Sequence, residues 1–289
     1  MNKIKTLIPI AIIAAIGGII RKLSFIEFQV PPLVEGPKVV FFIPLPEFLH
    51  KIPFAMEIGN GGYGLPVTIT VVTTWFLILF MFILFRVGTS KLEVIPGKLQ
   101  LILESIYAFL DGVVGQMMGS WKKKYLSYIG PLFLFIFTAN TISFFPIPWF
   151  SVADGHITFA PAFRSPTSDL NTTVGLALLT TFMFLKASIK TNGVLGYFKG
   201  FLAPIPVMLP LNIVGEFAKP VNISVRLFGN AFAGGVIMGL LYMGAPAAIP
   251  AGLHLYFDLF SGLVQSFVFI MLSMVYIQGS LGDSEYVEE

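Results

Sequence analysis

In the last third of this chain, ionisable side chains are scarce and regularly spaced. After Lys199 only two more Lys or Arg residues follow, Lys219 and Arg226, and before the acidic C-terminal tail only two carboxylates, Glu216 and Asp258. Asn212, Glu216, Lys219, Asn222, Arg226 and Asn230 succeed one another at intervals of 4, 3, 3, 4 and 4. That is 18 residues in five turns, the 3.6-residue period of an α-helix, so the six side chains form one stripe along one helix. His254, Asp258, Ser261 and Gln265, at intervals of 4, 3 and 4, form a second stripe. Both lie in strongly apolar surroundings, where each charge costs about 2.5–3.5 kcal/mol to place. Two polar stripes on adjacent helices define a hydrated path, and the chemistry they suit is moving an ion.

The plainer reading is that these groups pair with one another. Glu216 and Lys219 are three residues apart, the spacing of a local ion pair, and Pro220 is placed to kink the helix and free carbonyls for Lys219. Arg226 resists this reading. It follows Val225 and precedes Leu227 and Phe228, far from either end of its segment, and Asp258 is the one obvious partner of opposite charge.

The rest of the chain says what must hold these stripes. Of 289 residues, 56% are hydrophobic, 11% are charged and 30 are Phe, with a mean hydropathy of +0.86. An average soluble domain is roughly 25% charged, so the expected fold is an all-α membrane protein. Absence of Cys excludes disulfides, thiolate metal sites and thiol catalysis, and three His make a multi-His metal site a poor prospect. No phosphate loop or nucleophile–base constellation is present. The net charge of +3 is too small and scattered to suggest nucleic acid as a partner.

Apolar runs near the ~20 residues that cross a bilayer predict about five to six membrane helices. Residues 4–20, flanked by lysines before and by Arg21 and Lys22 after, are expected to stay in the mature protein as the first of them, starting in the cytoplasm; a removable signal peptide is the alternative. The Pro- and Gly-rich stretch 23–66 is read as an irregular external loop with interfacial pieces. Spans are expected at about 67–87, 127–147 and 172–189. Residues 96–118 alternate Leu, Ile and Phe with Lys98, Glu104 and Asp111 at helical spacing, the pattern of an amphipathic helix lying in the interface. Two long apolar stretches, about 205–244 and 250–278, are separated by a break so short that they should form an antiparallel hairpin. The chain thus divides into 1–66, an anchor and external loop, and 67–289, which carries the stripes.

Basic residues orient the whole. The 86–130 connection has Arg86, Lys91, Lys98, Lys122, Lys123 and Lys124, and the 186–203 connection has Lys186, Lys190 and Lys199. The 147–171 loop has only Arg164 among Lys and Arg. The first two connections are expected in the cytoplasm with the C-terminus, and the 147–171 loop outside.

Within this frame the run PIPVMLPLNIVGEFAKPVNISVRLFGNAFAGG (204–235) resembles the signature of subunit a of bacterial F-type ATP synthases, through Lys219-Pro220 and Arg226-Leu-Phe-Gly-Asn230. VIPGKLQ (94–100), NTISFFP (140–146) and LVQSFVFIMLSMVYI (263–277) agree, and the likeness covers about 65–278. The resemblance implies a stator in the Fo sector of the cell membrane. It packs against a rotating ring of c subunits, with the subunit b peripheral stalk and the rest of the complex as further partners, and holds no cofactor. It also implies two aqueous half-channels, with Arg226 between them facing the c-subunit carboxylate and Asn230 and Gln265 beside it.

There are departures. Many relatives carry Glu nine residues after the arginine and His seven before the glutamine, where this chain has Gly235 and Asp258; Ser143 stands where some have Asp. A path so poor in titratable relays leaves the coupling ion open between H+ and Na+. Other readings are a stand-alone secondary transporter of a small anion held at Arg226 and a purely structural anchor. No internal repeat favours the transporter.

Overall fold

The computed structural model describes residues 39–44, 56–58, 62–90, 92–144, 148–153, 156–161, 164–202, 205–244, 252–253 and 255–281. The expected helix at 4–20, His254 and the C-terminal tail lie outside these. Helices dominate. They are α1 (Ile69–Gly88), α2 (Lys98–Met118), α3 (Lys122–Thr141), α4 (Leu170–Gly200), α5 (Leu209–Gly244) and α6 (Ser261–Leu281), the last preceded by a π-helical segment, Leu255–Phe260. Five stretches are long and apolar enough to cross a membrane: 69–88, 98–144 (α2 and α3 together), 170–200, 206–238 and 255–281.

Two small sheets occupy stretches expected as loops. Strands β1 (Val39–Pro44), β2 (Met56–Ile58) and β3 (Gly62–Thr68) pair antiparallel in the order β1-β3-β2. Strands β4 (Pro148–Ala153) and β5 (His156–Pro161) pair from Ala153–His156 outward, across Asp154-Gly155. Two prolines of the stretch 23–66 are described. Pro44 ends its strand, and Pro66 leaves the rest of β3 free to donate.

The chain divides into two compact units. One takes 74–139, 166–230 and 262–289; the other takes the segments up to 73, 140–165 and 231–261. In the first, helices pack through side chains one turn apart. Leu110, Val114 and Met118 of α2 are buried with Tyr125, Ile129 and Phe133 of α3, Phe184 and Ala187 of α4, and Ile270, Met274, Ile277 and Leu281 of α6. A second cluster joins Leu132 and Ile136 of α3 to Ala177 of α4, Ile223 and Leu227 of α5, and Phe269 of α6. The amphipathic reading of α2 needs one adjustment. Its inward face is Leu110-Val114-Met118, while Leu101, Ile102 and Phe109 point outward, the arrangement of a helix with both protein and lipid to cover.

Two glycines do what other residues resist. Gly119, at φ 53°, turns α2 into α3; Gly193, at φ 69° and ψ 166°, breaks α4 from within. The break follows Lys190, so the span expected at 172–189 is continued by a short helical tail bearing Tyr197 and Phe198. Asp169 caps the other end, its carboxylate accepting from the Asn171 N–H at 3.0 Å.

Candidate functional site

The first stripe does lie on one helix, α5, but its members meet different fates. Asn212 donates to the Phe201 carbonyl at 2.9 Å, tying the start of α5 to the chain before it. Glu216 accepts from Lys219 at 2.7 Å and from the Tyr197 hydroxyl at 3.2 Å. The Lys219 ammonium also lies 4.9 Å from the ring centre of Phe184 and 5.8 Å from that of Tyr276, within cation–π range of both. Asn222 reaches the Tyr276 hydroxyl at 3.5 Å. The lower half of the stripe is therefore a knot joining α4, α5 and α6, as the plainer sequence reading had it. Pro220, within α5, leaves the Glu216 carbonyl without its helical N–H.

Two turns above Lys219 the situation reverses. Arg226 stands 17 residues from Leu209 and 18 from Gly244 (226 − 209 and 244 − 226), at the middle of α5. One side of the helix there is fully packed, with Ile223, Ser224 and Leu227 all buried. The other is apolar and uncovered, with Phe217 73%, Val221 58% and Val225 54% exposed. Arg226 is exposed, and it makes no hydrogen bond or ion pair with any described residue. A guanidinium cannot shed its charge. At mid-helix on an oily face its charge is answered by none of the described residues.

Asn230 and Gln265 are both partly buried. Counting from the Asn222–Tyr276 contact at 1.5 Å per residue, Asn230 lies about 12 Å along α5 and Gln265 about 16 Å along α6. The two amides therefore fall within about one turn of the same height. In the other unit the turn 142–144, with Ser143, packs against the π-helical segment 255–260 that carries Asp258. A Cβ added at Gly234 would meet the Phe257 ring at 3.6 Å, whereas one at Gly235 would meet nothing within 4 Å. Among the described residues no cluster of three or more His, Cys, Asp or Glu could hold a metal.

The model of the family "ATP synthase A chain" matches residues 70–278. The chain belongs to this family. A relative from Propionigenium modestum, "ATP synthase subunit a, sodium ion specific", is 60% identical over 283 residues, 98% of each chain. "ATP synthase subunit a" of Moorella thermoacetica is 32% identical over 222 residues, 77% of this chain and 94% of its own. With the five apolar stretches, this makes the protein a multi-pass membrane component of an ATP synthase, and nothing favours a stand-alone transporter.

At position 235, where the resemblance leads one to expect Glu, a Cβ would meet nothing within 4 Å. Phe184 and Tyr276, whose rings lie against Lys219, and Tyr197, which donates to Glu216, are not evident from the sequence because an aromatic at helical spacing reads as ordinary core. Tyr197 carried one usable signal, a hydroxyl just beyond a helix-breaking glycine in a basic connection.

Proposed function

We propose that this chain is the ion-translocating stator of the ATP synthase membrane sector, in which Arg226 faces the acidic side chain of a rotating ring and Na+ is the coupling ion. The observation that carries the reading is the exposed, unpaired Arg226 at the middle of α5. Neither lipid nor any described residue neutralises it, and in this reading an acid on a neighbouring subunit does. The face around it, Phe217, Val221 and Val225, is apolar enough to slide past such a neighbour without binding it.

The energetics suit a motor. At an effective dielectric near 20, charges about 4 Å apart attract by ~4 kcal/mol, enough to displace a bound cation from the ring carboxylate without trapping it. A membrane potential contributes ~2.3 kcal/mol per charge per 100 mV, and it performs work only if ions cannot bypass the ring. A fixed cation between two half-channels supplies that barrier. Asn230 and Gln265, at matching height, offer neutral polar lining, and Ser143 and Asp258 are the further polar groups assigned to ion passage. The chain makes and breaks no covalent bond; it positions charge. The peripheral stalk and the remaining subunits complete the machine, with the C-terminus of this chain in the cytoplasm. Na+ is favoured by the near-full-length relative described as sodium ion specific and by a path rich in neutral oxygens. A hydrated metal ion needs such ligands and no titratable relay.

The test is ATP-driven Na+ uptake into proteoliposomes holding the whole complex. Arg226→Ala is expected to assemble and to lose uptake. Arg226→Lys, which keeps the charge but not the planar fork, is expected to fail nearly as badly. Substantial coupled uptake by Arg226→Ala overturns the stator reading.

A further inference from the structure

Several hydroxyls in the described helices of this protein fold back on the preceding turn. Thr73 donates to the Ile69 carbonyl at 2.8 Å, Thr181 to Ala177 at 2.8 Å, Ser266 to Gly262 at 2.6 Å and Ser273 to Phe269 at 2.9 Å. Thr138, in α3, donates to Leu134. Three residues later Thr141 differs. It is 6% exposed, and its Oγ1 is the buried side-chain N or O atom that has no hydrogen-bond partner among the described residues. A buried hydroxyl gives up water and must regain a partner, and native proteins leave few such atoms unexplained.

What surrounds Thr141 is suited to a cation. It ends α3, next to buried Asn140, and leads directly into the 142–144 turn bearing Ser143. That turn packs against 255–260, which carries Asp258. Neither 140–153 nor 231–261 contains a Lys or Arg. The two segments and the end of α3 carry Asn140, Thr141, Ser143 and Asp258, an amide, two hydroxyls and a carboxylate, the oxygen donors that hard cations take. We infer that the Thr141 hydroxyl is an oxygen ligand to the coupling cation as it passes between the 140–143 and 255–261 segments, making Thr141 a specificity-determining residue of the path. This rests on the Na+ reading above.

The inference separates Thr141 from a merely structural threonine by one property, the concentration of Na+ at which the path fills. The experiment measures initial rates of ATP-driven Na+ uptake against Na+ concentration in proteoliposomes containing the complete complex. Thr141→Val keeps the shape and removes the oxygen. It is expected to raise the half-saturating Na+ concentration about fivefold, the worth of one ligand at about 1 kcal/mol, with the rate at saturating Na+ within about twofold of the wild type. Thr141→Ser, which keeps the oxygen, is expected to restore the wild-type curve. Should the valine variant not assemble, Thr141→Ala, smaller than either, is measured against Thr141→Ser in its place. Na+ uptake by the wild type with an unchanged half-saturating concentration in the oxygen-free variant overturns this inference and leaves the Na+ reading standing. Absence of Na+ uptake by the wild type overturns both.

Discussion

Removing the charge of Lys219 should loosen the subunit without blocking ion transport. Its ammonium lies 2.7 Å from the Glu216 carboxylate, and the two side chains are 30% and 22% exposed. At an effective dielectric near 20 that separation gives a gross attraction of ~6 kcal/mol. Most of it is offset by the desolvation of two charges, and charge-assisted hydrogen bonds usually retain about 1.5–3 kcal/mol. The Lys219 contacts with Phe184 and Tyr276 add ~0.5–1 kcal/mol each. Lys219→Met should therefore destabilise the fold by about 2–3 kcal/mol, because Glu216 keeps its charge and only the Tyr197 hydroxyl to meet it. Glu216→Gln should cost about the same. The double variant should cost less than the two added together, by a coupling of about 1–2 kcal/mol. The assay is release of the subunit from the purified complex on heating, read alongside ATP-driven Na+ uptake at a temperature where every variant remains assembled. Fully additive losses would show that the pair is not coupled. A double variant that is stable and assembled, yet transports nothing, would put Glu216 and Lys219 in the ion path and refute the reasoning.

Asp258→Asn should leave the complex assembled and slow Na+-driven ATP synthesis about tenfold, equivalent to ~1.4 kcal/mol on the limiting step; an unchanged rate at limiting Na+ would remove Asp258 from the path. Gly193→Ala should cost about 1–3 kcal/mol of thermal stability, although a Cβ there meets nothing within 4 Å, because φ 69° with ψ 166° is a region open essentially to glycine alone. Gly112→Ala, at an equally open position inside α2, is its control and should instead stabilise slightly; equal effects of the two would refute the conformational account.

Much of the fold was legible because a bilayer restricts what a chain can do. Every backbone group in it needs an internal partner, so long apolar runs become helices and a 3.6-residue stripe of polar residues must share a face. The strands were less legible. Val39–Pro44 is β-branched and aromatic, and Asp154-Gly155 between alternating runs is a strong hairpin signal, yet prolines and glycines nearby read as loop. The extension of α4 past Gly193 was hidden for the same reason, since one glycine with open space around it can end a helix or merely bend it. Thr141 was invisible altogether. Its residue type is common in these helices, and only the direction of one hydroxyl distinguishes it from Thr138.

The two cations of α5 show where sequence reasoning stops. Lys219 and Arg226 are seven residues apart, so they differ in direction by only about 20° on an α-helix, and periodicity places them on one stripe. What separates them is the chain around each. Lys219 lies against two aromatic rings and a carboxylate supplied by α4, α5 and α6, so its charge is answered inside the subunit. Arg226 lies two turns on, where α5 turns its exposed valines outward and no described side chain answers it. A satisfied cation fixes a helix in place. An unsatisfied one can serve a passing carboxylate only while nothing within its own subunit claims it. The difference along one stripe thus follows from packing: the knot at Lys219 holds α5 against α4 and α6, and the guanidinium two turns above has no partner among the described residues, as the proposed role toward a neighbour requires.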